Sequence, residues 1–329
     1  MNNYSTLQRF LHRSVLSSQF MREVMFDVEK SIFLKKDDNF DDNHVFVAGL
    51  ARSGTTILLN AIYQSNQFAS LTYDDMPFIL APNFWKKISP NKSHDKFHER
   101  SHGDGIRVST NSPEAFEEVF WKTFTDNSII RDELFIKFIS LILKKNNKTR
   151  YLSKNNQNIK RLNLINEIFP CSIILIPFRD PLQHAFSLYS QHMKFIKVQN
   201  KDSFIRNYMN WIGHSEFGLD YRMIHPSNLL YPNEKEFNHW LEQWYLTYKT
   251  VLELSSEHGE FYLISYESLC NNPKVWGNVK DLLSINQEVK FLFKESKKVI
   301  GQNFDNNLSN KCYRLYESLV SKSFELKRF

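Results

Sequence analysis

Glycine and proline are scarce in this chain of 329 residues, nine and ten in number, so long linker or disordered tracts are not expected. Cysteine is scarcer: Cys171, Cys270 and Cys312 are odd in number, scattered and without metal-type spacing. That pattern argues against a disulfide framework and a zinc site, and fits reduced thiols in a cytosolic protein. No stretch approaches the roughly 18 apolar residues of a membrane span. The N-terminal MNNYSTLQRFLHRSVLSSQF has no signal-peptide core, because Arg9, His12 and Arg13 interrupt its apolar residues. A soluble, cytoplasmic protein is the expectation. Charge of one sign is also in short supply. The formal balance of +6 is too small to point to nucleic acid, yet it favours an anionic ligand wherever the basic residues cluster.

What the sequence does contain is a regular alternation. Leu7, Phe10, Leu11, Val15, Leu16, Phe20, Val24 and Val28 recur at helical spacing, which predicts one or two amphipathic helices over residues 5–33. Such a face packs on the main domain or touches a membrane surface, and packing is the expectation. The polar stretch DDNFDDN, residues 37–43, reads as a linker, so residues 1–43 form a helical extension and 44–329 one domain. Strands are predicted at 44–48, 69–72, 150–153, 172–178 and 261–265. Helices are predicted at 55–64, 113–125, 132–144, 160–167, 181–194, 236–258 and near 308–319. Apolar runs such as Ile173-Ile174-Leu175-Ile176 suit strands buried on both faces. Their alternation with helices implies an α/β fold in three layers around a mostly parallel sheet.

The stretch FVAGLARSGTTILLNAIY, residues 46–63, reads as a buried strand, a small-residue loop and a helix. A helix start presents unpaired N–H groups and a positive dipole end, which together make an anion site. Gly54 removes a side chain at the tightest point, and Ser53, Thr55 and Thr56 add hydroxyl donors. Where a nucleotide triphosphatase carries lysine, this P-loop-like turn has Arg52, whose planar fork suits phosphate or sulfate oxygens. A plain turn with a solvated arginine is the alternative. In SIILIPFRDPLQHAFSLYSQH, residues 172–192, a second strand exit carries Arg179. Asp180 is a good N-cap and Pro181 a good first helical residue. Ser187, seven residues beyond Asp180, lies two turns along on the same face, so Arg179 and Ser187 can converge on one anion.

GLARSGTTILLNAIY resembles the 5′-phosphosulfate loop of sulfotransferases that use 3′-phosphoadenosine 5′-phosphosulfate (PAPS), in the branch with Arg-Ser-Gly-Thr-Thr. That branch includes tyrosylprotein, carbohydrate and many bacterial sulfotransferases. The family also binds the 3′-phosphate with an arginine and a serine eight residues later, the spacing of Arg179 and Ser187. The resemblance spans residues 44–320 in outline and these two motifs closely. It implies a three-layer P-loop-like fold and sulfuryl transfer from PAPS to a hydroxyl. ATP has no 3′-phosphate, and no second acidic motif is placed to hold magnesium. No metal is therefore expected, and a small-molecule P-loop kinase or a catalytically silent anion-binding protein is the alternative.

Within that resemblance Lys154 matches a catalytic lysine of the tyrosylprotein branch, 25 residues before the 3′-phosphate arginine in both. It also follows a predicted strand, at the sheet end where α/β ligands bind. For the general base, two related branches place a glutamate about 20 residues after the loop arginine, where this chain has Asp74 and Asp75 instead. Asp75 is the first candidate. His102, in SHGDGI, is the second, with an ordinary pKa suited to the task and with the cytosolic branch as precedent. Glu114, Glu117 and Glu118 are expected to be solvated or to complement a helix dipole, with Ser112 as cap. Tyr266, after the last strand, is expected near the nucleotide or in the core. The aromatic region 195–240, with Trp211, Phe217, Tyr221, Tyr231 and Trp240, lines an acceptor cleft or fills the core. The expected acceptor is a hydroxyl on a carbohydrate, lipid or small metabolite.

Overall fold

A computed structural model describes residues 5–35, 42–89, 98–99, 107–124, 128–257, 261–289, 291–294, 298 and 300–324. Ser5 starts the first helix, α1 (Thr6–Leu16), with a capping box in which Ser5 and Gln8 exchange hydrogen bonds. Ser18 caps α2 (Gln19–Phe33) in turn. The expected apolar stripe packs only in part: Val15 and Leu16 are buried, as is Phe26, whereas Leu7, Phe10, Phe20 and Val28 are exposed. Two polar anchors fix the attachment. Arg22 Nε donates to Thr123 Oγ1 at 2.7 Å, and Glu29 Oε1 accepts from the Asn83 N–H at 2.7 Å.

The main domain then alternates as follows. β1 (Val45–Val47) leads into α3 (Thr55–Tyr63), β2 (Phe68–Ala69) and α4 (Pro82–Ile88). A short antiparallel pair, β3 (His98–Glu99) and β4 (Arg107–Val108), precedes α5 (Glu118–Thr123) and α6 (Ser128–Asn146). Next come β5 (Arg150–Lys154), α7 (Leu162–Ile168), β6 (Ile173–Phe178), α8 (Pro181–Lys201) and α9 (Ser203–Trp211). α10 (Phe237–Glu257), β7 (Phe261–Ser265), α11 (Tyr266–Asn271), α12 (Pro273–Leu282) and α13 (Asn306–Ser321) complete the chain order.

The central sheet has five strands in the order β2-β5-β1-β6-β7, and every pairing is parallel. Strand periodicity divides the core in two. Phe46, Tyr151, Ile174 and Ile176 face one cluster, with Phe138 of α6 and Trp244 and Tyr248 of α10. Val45, Val47, Leu152 and Leu175 face the other, with Leu58 and Leu59 of α3 and Val275 and Val279 of α12. Each fully buried side chain of this size contributes roughly 1.5–3 kcal/mol relative to exposure. The result is the three-layer α/β arrangement expected from the sequence. Among the described residues no helix is long and apolar enough to cross a membrane.

The sheet register fixes where ligands approach. Val47 lies opposite Lys154 on one side and Leu175 on the other, so β1 and β5 end level while β6 runs three residues further, to Phe178. The chain also reverses its winding beside β1, which is where a parallel α/β sheet opens a crevice at its carboxyl ends.

Two sequence expectations differ from the structure. The second strand is shorter than predicted, and residues 73–75 form a 3₁₀ turn instead. The helix expected from 113 starts five residues later, at Glu118. A non-local pairing wins there: Thr72 bridges Pro113, and the Glu114 N–H donates to Leu71 O at 3.0 Å. Ser112 is consequently no helix cap; its hydroxyl accepts from the Ser109 N–H at 2.9 Å.

Candidate functional site

The loop after β1 turns sharply because two residues adopt left-handed backbone conformations, Arg52 at φ 71° and Gly54 at φ 102°. Gly54 is required twice over. Its φ is one that side-chain-bearing residues rarely adopt, and an added Cβ would lie 2.4 Å from the Tyr266 ring. Tyr266, at the junction of β7 and α11, therefore roofs the loop, and its hydroxyl donates to Lys294 O at 3.0 Å. Burial pushes its pKa up, so it stays a protonated donor. The turn leaves the first N–H groups of α3 pointing out of the loop.

α8 grips this loop from the other side. Asp180 caps it, accepting from the Gln183 N–H at 2.9 Å, and Pro181 occupies the first turn. Arg179 Nη1 donates to Arg52 O at 3.1 Å, and its guanidinium sits 5.2 Å from the Tyr266 ring centroid. His184 is fully buried and its Nε2–H donates to Ala51 O at 2.8 Å. Burial first, and then the Arg179 charge, lower the His184 pKa to about 3, so it holds the loop as a neutral ring. Arg52 Nε in turn donates to Ser187 Oγ at 3.2 Å. The two stretches singled out in the sequence are thus one structural unit.

A cavity of about 110 Å³ opens between this unit and the end of β5. Arg52, Gly54, Thr55, Arg179 and Lys154 line it, and so does Glu114. Lys154 Nζ lies 3.8 Å from Glu114 Oε1, with both side chains almost fully buried. Glu114 is further held by the Tyr73 hydroxyl, which donates to Oε2 at 3.0 Å, and by the Ala115 N–H, which donates to Oε1 at 2.9 Å. The far wall consists of Met209, His214, Glu216 and Phe217. His214 Nε2–H donates to Ala115 O at 2.8 Å, and Asn156 Nδ2 donates to Glu216 Oε1 at 3.1 Å. The cavity thus gathers Arg52, Arg179, the start of α3 and the Lys154–Glu114 pair around one space. That arrangement can bind an anion and accept a proton next to it.

Comparison with known proteins gives this site a family. A model described as the sulfotransferase family matches residues 44–233, more than half of the chain, including every cavity residue named above. The chain belongs to the sulfotransferase family. No curated protein matches it. Among solved structures it is similar to sulfotransferase STF1 from Mycobacterium tuberculosis H37Rv, at 11% identity and a TM-score of 0.47, covering 96% of this chain and 87% of that one. It is likewise similar to sulfotransferase STF9 from Mycobacterium avium, at 12% identity and 0.47, covering 98% and 81%. A sulfotransferase from Alicyclobacillus acidocaldarius follows at 14% identity and 0.40, covering 85% and 93%.

In this sulfotransferase the residues expected from sequence fall into three groups. Arg52, Gly54, Thr55, Thr56, Lys154, Arg179 and Tyr266 line the cavity, and Ser187 touches it through Arg52. Ser53 is fully buried and does not line it. Asp75 is buried elsewhere: its carboxylate pairs with Lys145 Nζ at 2.5 Å and accepts from Thr72 N at 2.8 Å. Its capping of the 3₁₀ turn aims it at α6 and away from the cavity. His102 lies outside the described residues, as do residues 37–41 of the polar stretch. Among the described residues no group of three or more His, Cys, Asp or Glu side chains could hold a metal ion.

Of the glutamates expected to be solvated or to complement a helix dipole, Glu118 stands in the first turn of α5, whereas Glu114 and Glu117 precede that helix. Glu114 and Glu117 are buried, and Glu117 accepts from Trp121, Tyr151, Asn158 and Ser153, the last at 2.5 Å. Glu118 makes a bidentate pair with Arg161, both contacts at 2.8 Å, and accepts from Asn155 Nδ2. Together they clasp the end of β5 and so position Lys154. Of the aromatic region, Phe217 lines the cavity whereas Trp240 is buried in the core. Glu114, Asn156, Met209, His214 and Glu216 are cavity residues that sequence reasoning missed. Nothing local marks Glu114, since a strand bridge brings it in. For 214–217 the available signal was Gly218, whose φ of 89° ends the segment in a turn.

Proposed function

We propose that this protein transfers a sulfuryl group from PAPS to an acceptor hydroxyl, with Glu114 as the general base. The observation that carries the reading is the convergence of Arg52, Lys154 and Arg179 on one cavity, with Glu114 3.8 Å from Lys154. The cradle fits such a donor: Gly54 leaves the α3 N–H groups open to an anion, and Arg52 and Lys154 supply two charges there. Arg179 and Ser187 suit a further phosphate, and the Tyr266 ring offers an apolar face beside it. The donor, when bound, supplies the sulfuryl group and its nucleotide leaving group.

The residues then divide the work. Glu114 accepts the hydroxyl proton as the acceptor oxygen bonds to sulfur. Arg52 and Lys154 stabilise the charge that builds on the bridging oxygen as the sulfur–oxygen bond to the nucleotide breaks. Lys154 lies 3.8 Å from the Glu114 carboxylate, and Tyr73 fixes the carboxylate's orientation. The buried pair is separated by 3.8 Å, leaving it open to exchange partners when substrate arrives.

Calorimetry with adenosine 3′,5′-bisphosphate and with adenosine 5′-monophosphate tests the donor assignment. Tighter binding of the bisphosphate is expected, and equal affinities would sink the role of Arg179 and Ser187. Preference for ATP with magnesium would favour a kinase instead. Binding of the bisphosphate without transfer of labelled sulfate to any acceptor would favour a silent anion-binding protein.

A further inference from the structure

Beside the far wall of the cavity the surface carries three cations: Lys122 on α5, Lys160 at the end of the 3₁₀ turn Asn156–Lys160, and Arg222 beyond α9. All three are exposed, and among the described residues none of them has an ion-pair partner. Their segments meet. Lys122 Nζ donates to Asn210 O, the Arg222 N–H donates to Ser215 O at 2.8 Å, and Asn156 donates to Glu216. The other charges nearby are already neutralised: Arg161 by Glu118 at 2.8 Å and Arg206 by Asp220 at 2.6 Å. Glu216, on the cavity wall, is the remaining carboxylate, and Arg22 is buried beneath.

Holding three like charges together is unfavourable. Burial lowers the pKa of both ammonium groups first. Arg22 and then Arg222 lower Lys122 further, and Arg161 and, least, Arg222 lower Lys160, against the opposing pull of Glu118 on both and of Glu216 on Lys160. His225 is lowered too, by burial and then by Lys160, so it adds no charge at neutral pH. Beside Glu114 and Glu216, by contrast, those carboxylates disfavour a second anion in addition to the one that Arg52, Lys154 and Arg179 hold. An acceptor that satisfies both regions presents a neutral hydroxyl to Glu114 and a negative group to the rim.

We infer that the acceptor is anionic, carrying a carboxylate, sulfate or phosphate group that docks on Lys122, Lys160 and Arg222 while its hydroxyl enters the cavity. This rests on the sulfotransferase reading above. The test takes a boiled extract of the cells that make the protein and divides it by anion exchange into bound and unbound fractions. Each fraction is incubated with ³⁵S-labelled PAPS and either the wild type or the variant Lys122→Gln/Lys160→Gln/Arg222→Gln. Label is expected in products of the bound fraction, and roughly tenfold less with the triple variant, the effect of a lost charge-assisted contact. Affinity for adenosine 3′,5′-bisphosphate is expected to stay unchanged. Label arising from the unbound fraction, or equal labelling by both proteins, would overturn the inference.

A second measurement does not depend on finding the acceptor. Glucuronate is expected to raise the melting temperature of the bisphosphate-saturated wild type more than glucose does, and the triple variant is expected to lose that difference. Equal shifts overturn the inference. A wild type that neither binds the bisphosphate nor labels either fraction fails the underlying sulfotransferase reading instead.

Discussion

One wall of the cavity is made from two contiguous stretches, residues 51–56 and 179–187, whose contacts are mostly backbone groups of a turn and a helix start. The opposite wall draws Glu114, Lys154, His214 and Glu216 from segments far apart in sequence, joined by side-chain bonds. The first wall is a local construction that glycine, a cap and a left-handed turn specify almost alone. The second exists through long-range pairing, above all the bridge of Thr72 to Pro113 that swings Glu114 onto the sheet edge. A local wall suits a ligand that is always the same; an assembled wall can be altered segment by segment to suit a different acceptor.

The contrast can be broken most forcefully at the second wall. Glu114→Gln is expected to lower turnover by roughly 10²–10⁴ while leaving bisphosphate affinity intact. Retained turnover would remove the reacting end from this wall. At the first wall, Arg179→Ala should weaken bisphosphate binding by about 1.5–3 kcal/mol, roughly 10- to 150-fold, through loss of a charge-assisted contact. Calorimetry reads this directly, and an unchanged constant would detach the wall from the nucleotide.

Asp75 provides the control that separates chemistry from scaffolding. Because it is buried against Lys145 and Thr72, Asp75→Asn should cost about 1–3 kcal/mol of stability by denaturant titration. Activity per folded molecule should be unchanged. A loss of turnover in a stable variant would return Asp75 to the list of bases.

The smallest effect concerns how the first wall is held. His184 has a folded pKa of about 3, below its ordinary 6.5, so the unfolded chain binds more protons once pH falls below 6.5. Stability from this group is therefore complete above that pH and declines toward pH 3, by about 1 kcal/mol at pH 5.5. His184→Asn should flatten the fall in melting temperature between pH 6.5 and 4. His192, lowered to about 4 chiefly by burial, continues to contribute the same direction of slope in the variant. An unchanged slope would show that His184 does not hold the loop as a buried neutral ring.

The same division explains what was legible beforehand. The buried strands, the capped start of α8 and the turn at Gly54 follow from patterns within a few residues, and the sequence contains them. Asp75 drew attention through the resemblance, which implies a carboxylate about 20 residues after Arg52, yet a 3₁₀ turn and Lys145 claim its side chain. Glu114, Glu117 and Glu118 looked like a solvated helix start, since a cap, a proline and an apolar stripe surround them. The pairing with Leu71 delays the helix and buries Glu114 and Glu117.

By itself, then, the sequence determined an α/β domain with a parallel sheet and a tight glycine turn between its first strand and a helix, because hydrophobic periodicity and capping are local properties of the chain. Tertiary structure alone decided which carboxylate meets Lys154 and that Lys122, Lys160 and Arg222 stand together. Those neighbours are set by strand bridges and loop crossings between distant segments, and no spacing along the chain encodes their distance in space.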